Sequence, residues 1–408
     1  MEEHLQDILG SHGDALGGRH IALGVSGSVA ALETHRVARL LMRHGAQVHV
    51  VLSPSASELV SSKALHWATG NPVVTSLSGA CEHLKLVGEH GLCHAFLVAP
   101  ATANTIGKMA LGIDDTPLTT VAVTALGRRL PSLVAPGMHA CMFDHPAVGA
   151  NLGRLTEMGV RVIAPERLEA KAKMATPEVI LAEVARLLGP GSLSGKRVLM
   201  TGGPTREPLD PARYLTNPSS GRMACSLAAE AYRRGAEVHL IYGPGPTDPP
   251  PGVRVERVER TAQMLQAVER ALTEPYHYFL GVAAVADFAP LEVSATKLPT
   301  AAGPTKLTLQ PTPKVIDRVR QLAPDIRLVA FKALPTQEPE ELWQAARATA
   351  ARCRADLVLA NPVGLPGVGF ESEENLLWAV PPQGQAESLG QASKTLLAAR
   401  VWDRIEQL

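Results

Sequence analysis

Apolar and polar positions along the chain fall into two rhythms, short solid apolar runs and longer runs with helical spacing. The first run, His20-Ile21-Ala22-Leu23-Gly24-Val25, reads as a buried strand turned by Ser26-Gly27-Ser28. Residues 29–44 follow with Leu32, Val37, Leu40 and Leu41 at helical spacing, and Gly45 stops the helix. A strand at 48–52 comes next. The rhythm then repeats, with strands at 95–99, 131–135 and 160–164 and helices at 102–111 and about 146–158. Strands alternating with helices predict a doubly wound, mainly parallel α/β sheet with sites at the strands' carboxyl ends. Residues 1–19 lie outside this rhythm and read as a leader or short helix.

Leu188-Gly189-Pro190-Gly191-Ser192-Leu193-Ser194-Gly195 has the composition of a linker. Beyond it the pattern restarts, with strands at 197–200, 237–242, 278–284, 328–331 and 356–360. Helices intervene near 262–272, 313–322 and 340–353, and a last helix closes the stretch from Ser388. The division expected is a leader (1–19), an α/β domain (20–188), a linker (189–196) and a second α/β domain (197–408). One connection breaks the pattern. A strand-to-helix turn usually takes about 2–6 residues, whereas the polar stretch here runs from Thr201 to Met223, TGGPTREPLDPARYLTNPSSGRM. It ends in a Ser-Ser-Gly turn at a helix start, where backbone amides make a ready anion site.

Composition narrows the field. The 408 residues are 46% hydrophobic and 19% charged, which is globular rather than disordered. Acidic and basic residues balance at 39 each, so no overall field favours nucleic acid or a membrane surface. The cysteines, Cys81, Cys93, Cys141, Cys225 and Cys353, form no Cys-x-x-Cys pair, which speaks for free thiols and against zinc. There is no apolar signal region and no apolar run of the roughly 20 residues a membrane helix needs. A cytoplasmic protein is expected.

In the first half, the segment Gly24-Val25-Ser26-Gly27-Ser28-Val29-Ala30 lacks the Gly-x-Gly-x-x-Gly order of a dinucleotide site; it suits a single phosphate or a plain turn. Two further strand ends, Ala99-Pro100-Ala101-Thr102-Ala103-Asn104-Thr105 and Ala135-Pro136-Gly137-Met138-His139-Ala140-Cys141-Met142, add hydroxyls and amides. Three polar strand ends at one sheet edge point to a cofactor cleft. His83, in Cys81-Glu82-His83-Leu84-Lys85-Leu86, is a proton-transfer candidate or a structural histidine.

These residues also carry a resemblance. Gly24 to Ala31, His83 before Leu84 and Leu86, and the run from Ala99 through Lys108 and Gly112 resemble the flavin-dependent cysteine decarboxylases. The second half resembles phosphopantothenate–cysteine ligases in Thr201–Met223, Ala283-Ala284-Val285-Ala286-Asp287-Phe288, Lys297, Phe331-Lys332, Ala360-Asn361 and Gly369-Phe370. Fused in this order, over roughly residues 20–400, the two halves resemble the bifunctional decarboxylase/ligase family of coenzyme A synthesis.

The resemblance implies a flavodoxin-like or Rossmann-like flavoprotein domain followed by a Rossmann-like ligase domain. It implies CTP-dependent ligation of cysteine to 4′-phosphopantothenate through an acyl-cytidylate, with Mg²⁺. FMN-dependent decarboxylation to 4′-phosphopantetheine follows. Gly24, Ser26, Gly27, Ser28, Ser53, Thr102, Asn104 and Lys108 are then candidates for FMN, and His83 for the base. Asn217 would hold the intermediate, Arg213 a carboxylate or phosphate, Lys297 the triphosphate, and Ser219, Ser220 and Gly221 a phosphate. Asp287 would take the ribose or the metal, Ala283, Ala284 and Phe331 the base, and Lys332 a phosphate. Self-association is implied as well, with trimeric flavin domains and dimeric ligase domains, up to twelve chains.

Two departures bear on the first half. The family's Pro-x-Met-Asn becomes Pro136-Gly137-Met138-His139, which puts His139 at a substrate contact. The flap region Glu166-Arg167-Leu168-Glu169-Ala170-Lys171-Ala172-Lys173-Met174 has neither the family's cysteine nor its glycines, with Lys173 where an arginine is usual. Cys141 and Lys173 are stand-in proton donors. The departures leave open a ligase whose flavin domain is structural; a non-catalytic flavoprotein is opposed by Asn217, Arg213 and Lys297.

Overall fold

The computed structural model describes residues 3–299, 303, 305–336, 338–364, 369 and 372–408; Phe370, one of the motif residues, lies outside them. The chain divides into two compact units, Met1–Gly189 and Pro190–Leu408, with the division inside the Gly/Pro-rich segment.

The first unit is built on a five-stranded parallel sheet of β1 (His20–Val25), β2 (Gln47–Leu52), β3 (Ala95–Ala101), β4 (Ser132–Pro136) and β5 (Arg161–Val162). Their spatial order is β2-β1-β3-β4-β5, so the order reverses between β1 and β3. That is the flavodoxin-like arrangement, with its crevice at the switch point. The strands are solid apolar runs because helices cover both faces. The helix expected over 29–44 is a short 3-10 turn, Val29–Glu33, then an α-helix, Thr34–Arg43. Ser28 caps the 3-10 turn and leaves its Oγ at the strand edge.

Of the two readings of residues 1–19 the short helix forms, at Glu3–Gln6, and the segment packs as part of the first unit. Leu5 and Leu16 are fully buried, and the segment is tied down by Gly10 N–H to Met42 O and Leu16 N–H to His44 O. Each such leucine buries apolar area worth about 2 kcal/mol. The segment reads as polar because its anchors stand too far apart to show a helical period.

The second unit holds an eight-stranded sheet: β6 (Arg197–Gly202), β7 (Glu237–Tyr242), β8 (Arg254–Arg257), β9 (Tyr278–Gly281), β10 (Arg327–Leu334), β11 (Leu357–Pro362), β12 (Glu374–Val380) and β13 (Glu387–Ser393). The order is β8-β7-β6-β9-β10-β11-β12-β13, Rossmann-like in its first six strands. β12 and β13 add on antiparallel. The strand expected over 278–284 stops at Gly281, and the chain leaves the sheet to form a loop at the switch point beside β6.

The long stretch after β6 is not an irregular loop. It folds into an antiparallel hairpin, Arg206–Asp210 with Arg213–Thr216, before the helix Arg222–Arg233 begins. The Asp210 carboxylate closes the hairpin tip by accepting from the N–H groups of Ala212 (2.7 Å) and Arg213 (2.9 Å). Glu207, buried on the hairpin, accepts from both the N–H and the hydroxyl of Thr261 and so pins it to the start of the helix Thr261–Ala271.

Candidate functional site

Each unit carries a cavity at the carboxyl edge of its sheet, where the strand order reverses. In the second unit the cavity measures about 320 Å³ and is lined by the end of β6, the turn 217–224, the loop 282–287 and the ends of β10 and β11. Gly221 makes the turn possible: its φ is +76°, and a Cβ there would stand 2.0 Å from the Tyr242 hydroxyl. The chain therefore passes from Ser220 directly into a helix whose first amides face the cavity.

Asn217, Ser219, Ser220, Gly221, Ala283, Ala284, Asp287, Phe331 and Lys332 all line this cavity. Asn217 Nδ2 donates to the carbonyls of Ala284 and Val285, both at 3.1 Å. Both amide protons go to the main chain, so the Oδ1 acceptor is what Asn217 offers a ligand here. Donating to an acyl oxygen requires exchange of one of those two bonds. Asp287 is exposed and ion-paired to Lys314. Arg222, the next-to-last residue of the Thr201–Met223 stretch, lines the same cavity with Lys314, Arg352 and Lys394, which no sequence motif singled out. They come from the starts or ends of four helices that only the fold brings together.

Arg213 and Lys297 are not in the lining. Arg213 sits at the hairpin tip, 3.2 Å from Asp210, and donates to the Leu298 carbonyl. Burial raises the pKa of Asp210, but the N–H groups of Ala212 and Leu298 and the Arg213 charge outweigh it and hold the carboxyl below its ordinary range. Lys297 is exposed in the adjoining loop, one residue from Leu298. The structure thus brings these two cations together, at the hairpin and apart from the cavity.

In the first unit the cavity is larger, about 680 Å³, and lies over the ends of β1, β3 and β4. Gly27, Ser28, Thr102, His139 and Lys173 line it. Ser28 donates to the Gly137 carbonyl (3.0 Å), and Thr102 caps the helix Ala103–Leu111. Ser26 is a tie rather than an open donor: its hydroxyl donates to Pro100 O (2.8 Å) and accepts from Thr102 N–H (2.9 Å), holding β1 to β3. Gly24 serves the core, since a Cβ would stand 2.3 Å from Leu118. Ser53 caps the short helix Pro54–Ser57, Asn104 is exposed, and Lys108 is paired to Asp115 at 2.7 Å. None of these five lines the cavity.

Val29, Met138, Met142 and Met174 give this cavity apolar walls, while Ser28 and Thr102 make one end polar; the Ala30 and Ala31 N–H groups of the 3-10 turn are taken by Ser28. A flat ring with a phosphate tail fits that division. The flap segment is a hairpin, Glu166–Leu168 with Lys171–Lys173, joined to Met138–His139 in a small sheet. Its turn puts Glu169 and Ala170 at φ of +52° and +57°, a conformation costing roughly 1 kcal/mol or more per residue. Lys173 pairs with Glu169 at 3.1 Å. His83 stands outside the lining, on the helix Glu82–Val87, with its Nδ1 buried and without a hydrogen-bond partner. Such an orphan costs about 1–3 kcal/mol unless a ligand satisfies it.

Residues 9–189 match the flavoprotein family model, and residues 193–408 match the C-terminal domain of the DNA/pantothenate metabolism flavoprotein family. The coenzyme A biosynthesis bifunctional protein CoaBC of Thermococcus kodakarensis is 45% identical, with both chains covered in full. Its namesake from Vibrio cholerae is 34% identical over 96% of this chain and 99% of its own. The crystal structure of a CoaBC C-terminal domain is similar at 28% identity and a TM-score of 0.45, covering 53% of this chain and 97% of that one. The chain belongs to the family of coenzyme A biosynthesis bifunctional proteins.

Proposed function

We infer that this chain is a bifunctional enzyme of coenzyme A biosynthesis. Its second unit joins cysteine to 4′-phosphopantothenate, and its first decarboxylates the product to 4′-phosphopantetheine. The observation that carries the ligase assignment is the cavity at the β6/β9 switch point, where Asn217, the Ser219–Gly221 turn and several cations face one another.

A carboxylate is a poor electrophile. In the proposed reaction its oxygen attacks the α-phosphorus of CTP, the bond to pyrophosphate breaks, and an acyl-cytidylate results. The amine of cysteine then attacks the acyl carbon, the C–O bond breaks, CMP leaves, and the amine gives up a proton. The Ser220–Gly221 end of the turn suits a phosphate group, while the Ser219 N–H donates to Asn217 O (2.8 Å); Lys332 suits a second phosphate. Ala283, Ala284 and Phe331 suit the base, and Asp287 the ribose or a Mg²⁺ ion. Asp287 is the single carboxylate among the described residues lining this cavity, so the ion would share it with phosphate oxygens and water. Asn217 would trade a main-chain bond for the acyl oxygen, or accept from the incoming amine.

Arg213 and Lys297 would join the reaction from the hairpin. Exposed Tyr214 lies on this hairpin, Phe288 and Leu309 on the adjoining ribbon Phe288–Pro290 with Leu309–Pro311, and exposed Leu291, Val293 and Leu307 on the segments that flank the ribbon. Such apolar exposure supports a homo-oligomer built through this region.

In the first unit, FMN would supply the two-electron oxidation of the cysteine moiety and return the electrons after carbon dioxide leaves. Ser28 and Thr102 would hold its phosphate, and the methionine-lined wall its ring. His83, with an unsatisfied Nδ1, would move a proton. His139 would meet the substrate, and Lys173 or the exposed Cys141 would return a proton. A cytoplasmic location goes with this reading, and no helix among the described residues is long and apolar enough to cross a membrane.

The test is an absorbance scan of the purified full chain with a ligation assay using CTP or ATP. The expected result is a bound flavin and CTP-dependent consumption of cysteine. Ligation with neither nucleotide would remove the ligase assignment.

A further inference from the structure

The hairpin at the first unit's cavity has little of its own to hold it. Its strands, Glu166–Leu168 and Lys171–Lys173, have three residues each, and a hairpin of that size is marginal by itself. Its turn adds two non-glycine residues, Glu169 and Ala170, in the left-handed region. Of its strand residues only Ala172 is buried. A neighbouring segment supplies what the hairpin lacks. Met138–His139 pairs with it as a third strand, Met138 opposite Ala172 and His139 opposite Lys171. The Ala140 N–H donates to the Ala170 carbonyl at 3.1 Å. Arg167 reaches the Asp144 carboxylate with both terminal nitrogens, at 2.7 and 3.3 Å, and lies over the Phe143 ring, 5.4 Å from its centroid. Such a fork fixes orientation as well as distance.

Strand alternation gives this fork its consequence. Arg167 shares a face of the small sheet with Ala172 and Met138, and the burial of Ala172 turns that face to the body of the unit. His139, Lys171 and Lys173 share the opposite face, and all three line the cavity. Anchoring one face therefore sets what the other presents. Neither Arg167 nor Asp144 lines the cavity, so the pair acts by holding other residues and not by touching a ligand.

We propose that Arg167 and Asp144 are positioning residues for the decarboxylation, their ion pair holding the hairpin to segment 138–144 so that His139 and Lys173 meet the substrate as one unit. This role rests on the decarboxylase reading above. Both side chains are more than half exposed, and water screens an exposed pair, so the effect is several-fold and not orders of magnitude.

The experiment uses the flavin-loaded full chain as wild type, Arg167→Gln, Asp144→Asn and the exchanged pair, Arg167→Asp with Asp144→Arg. Carbon dioxide release from phosphopantothenoylcysteine gives kcat and KM, and hydrogen exchange read by mass spectrometry follows residues 138–144 and 166–174. Each single variant is expected to lower kcat/KM about three- to tenfold and to speed exchange in both segments about three- to fivefold, with ligation and the flavin spectrum unchanged. The exchanged pair should return to within about twofold of wild type on both readouts. Single variants with wild-type kcat/KM and wild-type exchange would overturn the proposal and leave the decarboxylase reading standing, as would an exchanged pair no better than either single. Faster exchange with unchanged kcat/KM would reduce the pair to a stabilising contact and overturn the role as well. Faster exchange in the single variants of a chain whose loaded wild type releases no carbon dioxide would sink the decarboxylase reading and leave the hairpin's anchor standing.

Discussion

The two cavities occupy the same place in two related sheets, and their linings differ in charge balance and in apolar wall. Among the described residues one has five cations, Arg222, Lys314, Lys332, Arg352 and Lys394, with the carboxylate of Asp287, and it lies at helix N-termini. The other has walls of Val29, Met138, Met142 and Met174, hydroxyls from Ser28 and Thr102, and a more even set of charges, Arg36, Lys171 and Lys173 with Glu33 and Glu178. Parallel α/β topology supplies a crevice at the switch point in both units. What faces that crevice decides whether it neutralises a polyanion or holds a flat apolar ring. The comparison teaches that the fold gives the place, and a few residues at strand and helix ends give the chemistry.

That contrast can be broken in either unit. His83→Asn is expected to slow decarboxylation by roughly 10²–10⁴-fold while ligation and the flavin spectrum stay as they are, read by carbon dioxide release alongside the ligase assay. Loss of both activities together would show that the two sites are not separable. Asn217→Ala is the mirror test: ligation should fall about 10²–10³-fold, with decarboxylation of supplied phosphopantothenoylcysteine unaffected. An unchanged ligation rate would remove Asn217 from the reaction.

Smaller effects probe how the crevices are built. Gly221→Ala forces a side chain onto Tyr242 and into a left-handed backbone. It should destabilise the second unit by about 2–4 kcal/mol, seen as an earlier urea transition in that unit alone. Away from the first unit's crevice, His20 and His49 share a hydrogen bond (3.0 Å) toward the amino end of that sheet, with His94 stacked on His20. Burial, then the charge of His20, lowers the His49 pKa from 6.5 to about 4. The folded state therefore binds fewer protons than the unfolded one in that interval, and stability falls as pH drops from 6.5 toward 4. The loss should be on the order of 2 kcal/mol in the first unit and should shrink in His49→Asn. Equal acid sensitivity in that variant would move the cause elsewhere.

Much of the architecture could be read from spacing alone. The solid apolar runs marked β1, β3, β6 and β7, and the Gly/Pro segment containing Gly189 and Pro190 marked the division. The hairpin inside Thr201–Met223 could not be read. Its strands contain Pro208 and charged residues, and it is held by Asp210 and Glu207 accepting main-chain donors, which leaves no apolar alternation. The same holds for Leu5 and Leu16, single anchors without a period. For the sites, glycine and hydroxyl residues next to strand ends were legible because the strands announce them. Lys394 and Arg352 were not, since each begins or ends a helix remote in sequence and only packing brings them to the cavity. Ser26 shows the reverse case, a motif residue whose hydroxyl is spent on joining two strands.

One chain carries two crevices, and the first unit has the larger departures, at His139 and along Glu166–Met174. The most direct measurement is carbon dioxide release from phosphopantothenoylcysteine by the flavin-loaded full chain. The account predicts release with formation of 4′-phosphopantetheine. A fully loaded chain that ligates cysteine yet releases none would contradict it.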